Sequence, residues 1–222
     1  MTFPNLLQSA WVAIAAGLTA GAPAAAQTST DPSAIVQRSD RALAALESLR
    51  ADFVQRVENP ILERTTTGRG TLAYSAPDRF RIAYSEPAGD LVVNDGDRVW
   101  IYLPSSQPGQ AIRQPADASG VRNPLTYLRD LRRAFVARHA GVEAVAGHAS
   151  DHLALLPKGP DAPFVRLDVW VDRGTRLPRQ VRTETEDGIV TTYTFRDFRR
   201  NAAVDPGLFR FSPPEGVEVY DQ

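Results

Sequence analysis

The fold of this chain is decided by residues 70–84, GTLAYSAPDRFRIAY. Large apolar residues alternate with small or charged ones on both sides of the turn SAPD, and these are Leu72, Tyr74, Phe80, Ile82 and Tyr84. Alternation with a period of two around a proline-containing turn predicts a β-hairpin with one apolar face. The pattern alone favours a face packed in a protein core, but it leaves open a face that binds a ligand.

The same period of two begins at residue 64 and continues along most of the chain. The predicted strands are GTLAYS, DRFRIAYS, DLVVN, DRVWIYLP, QAIRQP, HLALLP, FVRLDVWVD, PRQVRTETE and GIVTTYTFRDF, with a last strand in the tail DPGLFRFSPPEGVEV. Proline, glycine and NDG turn signals separate them at short spacing. The sequence therefore predicts an antiparallel, mainly β domain of nine or ten strands with two or three helices.

The first of two predicted helices covers residues 31–59. Asp31 is its expected N-cap and Pro32 its first helical residue. Its apolar stripe, at spacings of three, four and four, consists of Leu46, Leu49, Phe53 and Val57.

The second predicted helix covers residues 123–139, NPLTYLRDLRRAFVARH. Asn123 is its expected N-cap and Pro124 its first residue. The residues expected on its apolar face are Leu125, Leu128, Leu131 and Phe135.

An apolar segment with small residues at its end precedes the first charged residue, Asp31. A short apolar region followed by an A-x-A site predicts a secretory signal peptide over residues 1–26, cleaved after Ala26. Residues 27–222 would then form a single mature domain outside the cytoplasm.

The composition disfavours several classes of protein. The formal net charge is −1, whereas a nucleic-acid binder needs a basic face, so no nucleic-acid partner is expected. The chain has no cysteine, which excludes disulfides, a thiol nucleophile and thiolate metal sites. It also leaves no cysteine to carry a lipid at the mature N-terminus. We expect a soluble monomer.

No group of residues in the sequence points to catalysis. G-x-S-x-G, P-loop and G-x-G-x-x-G motifs do not occur. His148 and His152 are four apart in GHASDH, but with no third ligand nearby we expect a surface loop rather than a metal site. Asp95 and Asp97 are expected in a turn. The sequence predicts no enzyme activity, no metal and no cofactor.

Several short motifs occur together in the order seen in one known family. They are ADFVQRV, GRGTLAYSAPDRFRIAYSEP, DLVVNDGDRVWIY, NPLTYL, HLALLPK, VWVDRGTRLPRQV and FRFSPPEGVEV. Over roughly residues 33–220 the chain resembles the periplasmic outer-membrane lipoprotein carrier family, LolA. The resemblance implies an incomplete antiparallel β-barrel or curved sheet closed by lid helices, whose apolar interior holds the acyl chains of lipoproteins.

The resemblance also implies a transport role without chemistry or cofactor. The carrier takes lipoproteins from an inner-membrane ABC exporter and delivers them to an acceptor at the outer membrane. One alternative is that acceptor itself, which is lipid-anchored and disfavoured by the absence of cysteine. Another is a periplasmic sensor or regulator with the same half-barrel that detects lipoproteins. A lipid hydrolase is disfavoured because no catalytic group was found.

The resemblance and the alternation together give a set of expected acyl-chain contacts. Phe80 matches the aromatic position three residues after the family's turn proline, here Pro77. The predicted cavity is lined by Phe53, Leu72, Tyr74, Phe80, Ile82, Tyr84, Trp100, Leu125, Leu128, Leu131, Val165, Leu167 and Val169. The three leucines of the second helix would form the lid. Alternation does not decide whether Trp100 or Val99 points inward, because both faces of that strand are apolar.

One position departs from the family pattern. Members carry an arginine immediately before the turn proline, and it holds the lid closed through hydrogen bonds to the lid backbone. Here the residue is Ala76, whose side chain cannot donate a hydrogen bond. Arg69, Arg79 and Arg81 are the candidates to replace it, although alternation puts the last two on the face opposite Phe80. We expect a weaker latch and a lid that opens more easily.

Overall fold

The structure, a computed structural model, describes residues 30–117, 123–127, 133, 135–160 and 163–222. Within them lie one α-helix, α1 (Pro32–Ala44), and two 3₁₀ helices, Pro124–Thr126 and Pro206–Phe209. In this part of the chain no helix is long and apolar enough to cross a membrane. The predicted signal peptide, and Leu128 and Leu131 of the predicted lid, fall outside the described residues.

The described residues form a single sheet of twelve strands. The strands are β1 (Ser48–Asn59), β2 (Arg64–Ser75), β3 (Arg79–Glu86), β4 (Leu91–Asn94), β5 (Arg98–Tyr102), β6 (Gln110–Pro115), β7 (Phe135–Val145), β8 (His148–Pro157), β9 (Arg166–Asp172), β10 (Pro178–Glu184), β11 (Val190–Arg200) and β12 (Glu218–Asp221). Their order is β12-β6-β5-β4-β3-β2-β1-β11-β10-β9-β8-β7, and each neighbouring pair is antiparallel except β12 with β6. The predicted fold class, a mainly β fold built on a curved antiparallel sheet, is confirmed.

The first predicted helix is correct at its start and wrong in its length. Asp31 caps α1 by accepting from the Ser33 backbone N–H at 3.0 Å. The helix ends at Ala44, and residues 48–59 form β1 instead. The 3-4-4 spacing of apolar residues suits a helix, but this segment is also buried at every second position up to Phe53. Pairing with β2 and β11 along its whole length overrides the helical pattern.

The second predicted helix is confirmed at its cap and wrong at its end. Asn123 caps the first 3₁₀ helix, its Oδ1 accepting from the Leu125 backbone N–H at 3.0 Å, and Pro124 follows. Residues from Phe135 onward form β7, an edge strand paired with β8, rather than the end of a helix. The missed strands β1 and β7 account for the predicted total of nine or ten.

The apolar core lies on the concave face of the sheet. Side chains that oppose one another across the ladders meet there, and they include Leu49, Phe53, Leu72, Phe80, Ile82, Leu153, Leu155, Leu167, Val169, Val181 and Phe195. α1 buries Ile35 and Leu43 in this core, and the first 3₁₀ helix buries Leu125. Among the described residues these helical segments, rather than a second sheet, cover the concave face.

The C-terminal segment covers one half of the convex face. The ring of Phe211 packs against that of Trp100 with 5.6 Å between centroids. Arg81 Nη1 donates to the carbonyl of Leu208 at 3.2 Å. β12 then pairs with β6 and ends the sheet on this side.

The other half of the convex face, over β8 to β10, carries a charged network. Asp168 is buried, accepts from Arg166 Nε at 2.7 Å, and lies 2.9 Å from His152 Nε2. Burial alone would raise the pKa of Asp168, but the hydrogen bonds from Arg166 and His152 hold it below its ordinary value. His148 and His152 belong to β8, so the predicted surface loop is wrong. Within the described chain, no group of three or more side chains could hold a metal.

Gly70→Ala is expected to destabilise the protein. A Cβ at residue 70 would clash with the carbonyl oxygen of Ala83 and lie 2.9 Å from Cζ of Phe53, so β2 and β3 would have to separate. Overpacking costs about 1–3 kcal/mol, and a clash with backbone lies at the upper end of that range. Urea unfolding measures the loss. Gly159→Ala is the control, because no atom lies within 4 Å of its added Cβ. Equal midpoints for the two variants would contradict the prediction.

Candidate functional site

The two ends of the curved sheet are closed to different extents. At the end where α1 leads into β1, which we call the closed end, Ala76 N donates to Glu47 O at 2.9 Å. Ser48 Oγ also donates to Ala202 O at 2.6 Å, so the backbone turns there are tied together. At the opposite end, the open end, the β1–β2 hairpin and the loops after β3 and β5 surround a space on the concave side.

That space is an open groove of about 940 Å³. Its floor includes Gln55, Val57 and Tyr84, and its walls include Leu62 and Leu103. The volume lies at the upper end of the range of about 300–1,000 Å³ typical of ligand pockets. Apolar and polar side chains line the groove in comparable numbers, and the polar ones include Asn59, Arg64 and Asp90. This lining suits a ligand with apolar and polar parts.

Three polar side chains separate the groove from the apolar core, and we call them the Gln55 network. Tyr84 Oη donates to Gln55 Oε1 at 3.0 Å, and Gln55 Nε2 donates to Tyr193 Oη at 2.8 Å. The two tyrosine hydroxyls lie 3.4 Å apart. On the core side the ring of Phe53 meets the rings of Tyr84 and Tyr193 edge-on, at 5.1 and 5.8 Å between centroids.

A glycine in β2 allows this network to form. Gln55 lies opposite Gly68 in the β1–β2 ladder, whereas Tyr84 lies opposite Gly70 in the β2–β3 ladder. A Cβ at residue 68 would be only 3.1 Å from Cε1 of Tyr84. The ring of Tyr84 therefore lies over Gly68 and crosses β2 to reach Gln55.

Burial raises the pKa of both tyrosines in the network. It raises the pKa of Tyr193 well above its ordinary value, and the neighbouring Tyr84 adds to the rise. Burial also raises the pKa of Tyr84, although hydrogen bonds with Tyr193 and Gln55 offset part of this effect. Both hydroxyls are thus neutral hydrogen-bonding groups at physiological pH.

Most of the predicted cavity residues lie on the concave face. They are Phe53, Leu72, Tyr74, Phe80, Ile82, Tyr84, Leu125, Leu167 and Val169. Toward the closed end their side chains pack against one another and under α1. The free volume between Leu43, Tyr74 and Leu125 is about 10 Å³, which is at the lower limit for a single water molecule. Between these described side chains the core is filled, and the groove is a much larger open volume.

Two predicted cavity residues lie elsewhere. Trp100 is opposite Val93 and Arg113 in the ladders, so it points to the convex face, where Phe211 covers it. The prediction that Trp100 lines the cavity is therefore wrong. Because the C-terminal segment covers the convex face of β5, that face is apolar too, and alternation could not show which face is concave. Val165 lies just before β9 at the open end and is 40% exposed, so its contact with an acyl chain stays a prediction.

The three arginines suggested as substitutes for the missing latch make their described contacts away from the lid. The guanidinium of Arg79 lies over the ring of Phe209 at 5.3 Å, and Arg81 donates to the carbonyl of Leu208. Both therefore hold the C-terminal segment on the convex face. Arg69 is paired on the surface with a glutamate of β3.

The sequence analysis missed Gln55 because it placed residues 48–59 in a helix. Read as a strand, the alternation of Ala51, Phe53 and Val57 puts Gln55 on the concave face. Tyr193 was recognisable as an aromatic residue in a strand, but its contact with Gln55 depends on the pairing of β1 with β11.

Comparison with known proteins identifies relatives along most of the chain. A sequence model described as outer membrane lipoprotein carrier protein LolA matches residues 44–212. An outer-membrane lipoprotein carrier protein from Chromobacterium violaceum is 31% identical over 220 residues, covering 98% of this chain and 96% of the relative. Another from Chromohalobacter salexigens is 30% identical over 207 residues, covering 93% and 95%.

Solved structures share the fold at lower identity. An uncharacterized conserved protein from Thermus thermophilus has a TM-score of 0.55 at 16% identity, covering 86% of this chain and 98% of that one. MucB, in the MucA/MucB complex of Pseudomonas aeruginosa, has a TM-score of 0.53 at 20% identity, covering 82% and 61%. At these identities the likeness supports the fold alone.

Stability is expected to fall as the pH rises above about 10, the ordinary pKa of tyrosine. The folded pKa of Tyr193 is raised, so the unfolded chain loses this proton first. Above that pH the folded state binds more protons than the unfolded state, and the free energy of unfolding decreases with pH. Tyr193→Phe removes the group and should make the decline shallower in urea unfolding between about pH 9 and 11. Identical slopes for both proteins would count against this assignment.

Proposed function

Because the chain belongs to the LolA family of outer membrane lipoprotein carrier proteins, we propose that it is a soluble periplasmic carrier that binds the acyl chains of lipoproteins on its concave face. It takes its cargo from an inner-membrane ABC exporter and releases it to an acceptor at the outer membrane. The signal peptide predicted over residues 1–26 supports export. The relatives are named as carriers, and the proposal needs no catalytic step or cofactor.

The observation that carries this proposal is an apolar concave face covered by helical segments and continuous with an open groove. α1 packs through a short stripe of buried residues, Ile35, Ser39 and Leu43. It can therefore separate from the sheet without breaking any of the sheet's backbone hydrogen bonds. An acyl chain gains about 0.8 kcal/mol for each methylene that leaves water. Chains entering from the groove would replace the contacts of α1 and the first 3₁₀ helix with their own.

The residue before the turn proline supports easy opening. The side chain of Ala76 is exposed and has no group that could hydrogen-bond to the lid. What ties this turn to the end of α1 is the backbone hydrogen bond from Ala76 N to Glu47 O. Packing of α1 on the core and this bond near its end both help to hold the lid.

Ala76→Arg is expected to slow the opening of the lid, because it restores the side-chain donor that the family carries at this position. Hydrogen exchange of the α1 amides measures opening, and we expect exchange to slow several-fold. Ala88→Arg, at an exposed position in the loop after β3, is the matched control and should leave α1 exchange unchanged. Unchanged exchange in Ala76→Arg would contradict the proposed weak latch.

Release of lipoproteins from spheroplasts tests the carrier proposal. The purified mature chain is expected to bring lipoproteins into the soluble fraction and to co-purify with them. Val57→Glu places a carboxylate on the groove floor, over which the apolar chains enter, so the carboxylate would lose hydration as they pass and release should fall at least tenfold. Val136→Glu, at an exposed position of β7 outside the groove lining, should release as much as the original chain.

The outcomes separate the proposals. If the unaltered chain releases no lipoprotein, the carrier function is wrong and a lipoprotein sensor becomes the better candidate. If Val57→Glu folds normally and releases as much as Val136→Glu, the acyl chains do not enter through the groove as we propose.

A further inference from the structure

We propose that the Gln55 network is a polar site that hydrogen-bonds the ester carbonyl groups through which acyl chains are attached to the cargo. This inference rests on the proposed function, because it concerns the heads of the same acyl chains. It assigns a recognition role to Gln55, Tyr84 and Tyr193.

The network lies where the concave face changes from apolar to polar. Along β1 the concave residues are apolar from Leu49 to Phe53, and Phe53 lies opposite Phe195 of β11. One step further, Gln55 lies opposite Tyr193. The next concave residue of β1 is Val57, which lies opposite Thr191 of β11 and Thr66 of β2. A ligand with an apolar chain and a polar head matches this face when its head is at Gln55.

The distance available suits one acyl chain. Gln55 and Leu49 are six residues apart, which is about 20 Å along a strand at a rise of about 3.3 Å per residue. In a membrane an acyl chain spans half of a hydrocarbon core of about 30 Å. A chain whose head is at Gln55 therefore fits along the apolar face toward the closed end once α1 has moved away.

The network has a hydrogen-bond donor to spare. The Gln55 amide has two N–H groups, and one of them donates to Tyr193. The other has no partner in the described part of the chain, and Gln55 lines the groove. Exchanging the amide oxygen and nitrogen would leave the same spare N–H. The O–H group of Tyr193 is at most a weak donor to Tyr84. The two hydroxyl oxygens are 3.4 Å apart, which exceeds the usual O–H···O range of about 2.5–3.0 Å.

Hydrogen-bond donors without a strong acceptor are complemented by a ligand group that accepts hydrogen bonds and donates none. An ester carbonyl oxygen accepts hydrogen bonds and donates none, so it complements the free N–H of Gln55 and the hydroxyl of Tyr193. If these residues served packing alone, apolar side chains would stabilise the fold better at these positions. Partly buried polar groups lose hydration, whereas apolar side chains would extend the core. Gly68, which makes room for Tyr84, adds a second cost because glycine weakens a strand.

A pair of synthetic lipopeptides tests this inference. The first is a diacylglyceryl-cysteine peptide with two ester-linked palmitoyl chains, and the second is its dialkyl ether analogue, which lacks the carbonyl groups. We expect the unaltered chain to bind the ester probe about three- to tenfold more tightly, as one or two hydrogen bonds would give. Gln55→Leu should bind both probes with equal affinity.

Gln180→Leu is the matched control. Gln180 lies on the convex face of β10, where its Oε1 accepts from Thr194 Oγ1 at 3.0 Å, so this variant should keep the ester preference. If Gln55→Leu does not fold, Tyr193→Phe removes one hydroxyl while keeping the ring, and it should reduce the preference.

Each outcome has a separate meaning. Equal binding of the two probes by the unaltered chain overturns this inference and leaves the carrier function standing. Binding of neither probe overturns the carrier function and this inference together. An ester preference that survives in both Gln55→Leu and Tyr193→Phe also overturns the inference.

Discussion

The pairing of β1 with β2 on one side and β11 on the other holds the two halves of the sheet together. Without it, β2 to β6 and β7 to β11 would be separate sheets, each with an exposed edge. The same strand supplies Phe53 to the core and Gln55 to the groove floor. One continuous ladder therefore fixes both the apolar face and the polar row that ends it, whatever the position of the helices.

The two faces of this sheet are covered by different means, and the difference bears on function. The convex face is covered by the C-terminal segment, which Arg81 and Arg79 hold through its backbone and the ring of Phe209, and by the charged network around Asp168. The concave face is covered by α1 and the first 3₁₀ helix through side-chain packing. The concave cover is the one that can leave without disturbing the ladders.

Local sequence patterns predicted the strands from residue 64 onward except β7, and they predicted both helix caps, because alternation, turn residues and capping side chains act over a few positions. They failed for residues 48–59, where spacings of two and of three to four both place Phe53 inside. What decides between them is pairing with β11, whose Tyr193 lies 138 residues from Gln55. The orientation of Trp100 likewise depends on a distant segment, around Phe211. The Gln55 network draws on three strands, so no single stretch of sequence contains it.

A carrier for acyl chains has to bind strongly enough to keep them from water and weakly enough to release them. Apolar transfer alone grows with every methylene, so a preformed empty cavity would hold long chains too tightly to release them. Here the described side chains fill the concave face toward the closed end, so in the proposed function a chain must displace α1 and the first 3₁₀ helix from it. The net affinity is then the difference between two sets of apolar contacts, and a ligand shifts the lid only by that difference. Hydrogen bonds to the head of the chain add a contribution that does not depend on chain length, which allows recognition of the cargo without tightening the grip on its hydrocarbon.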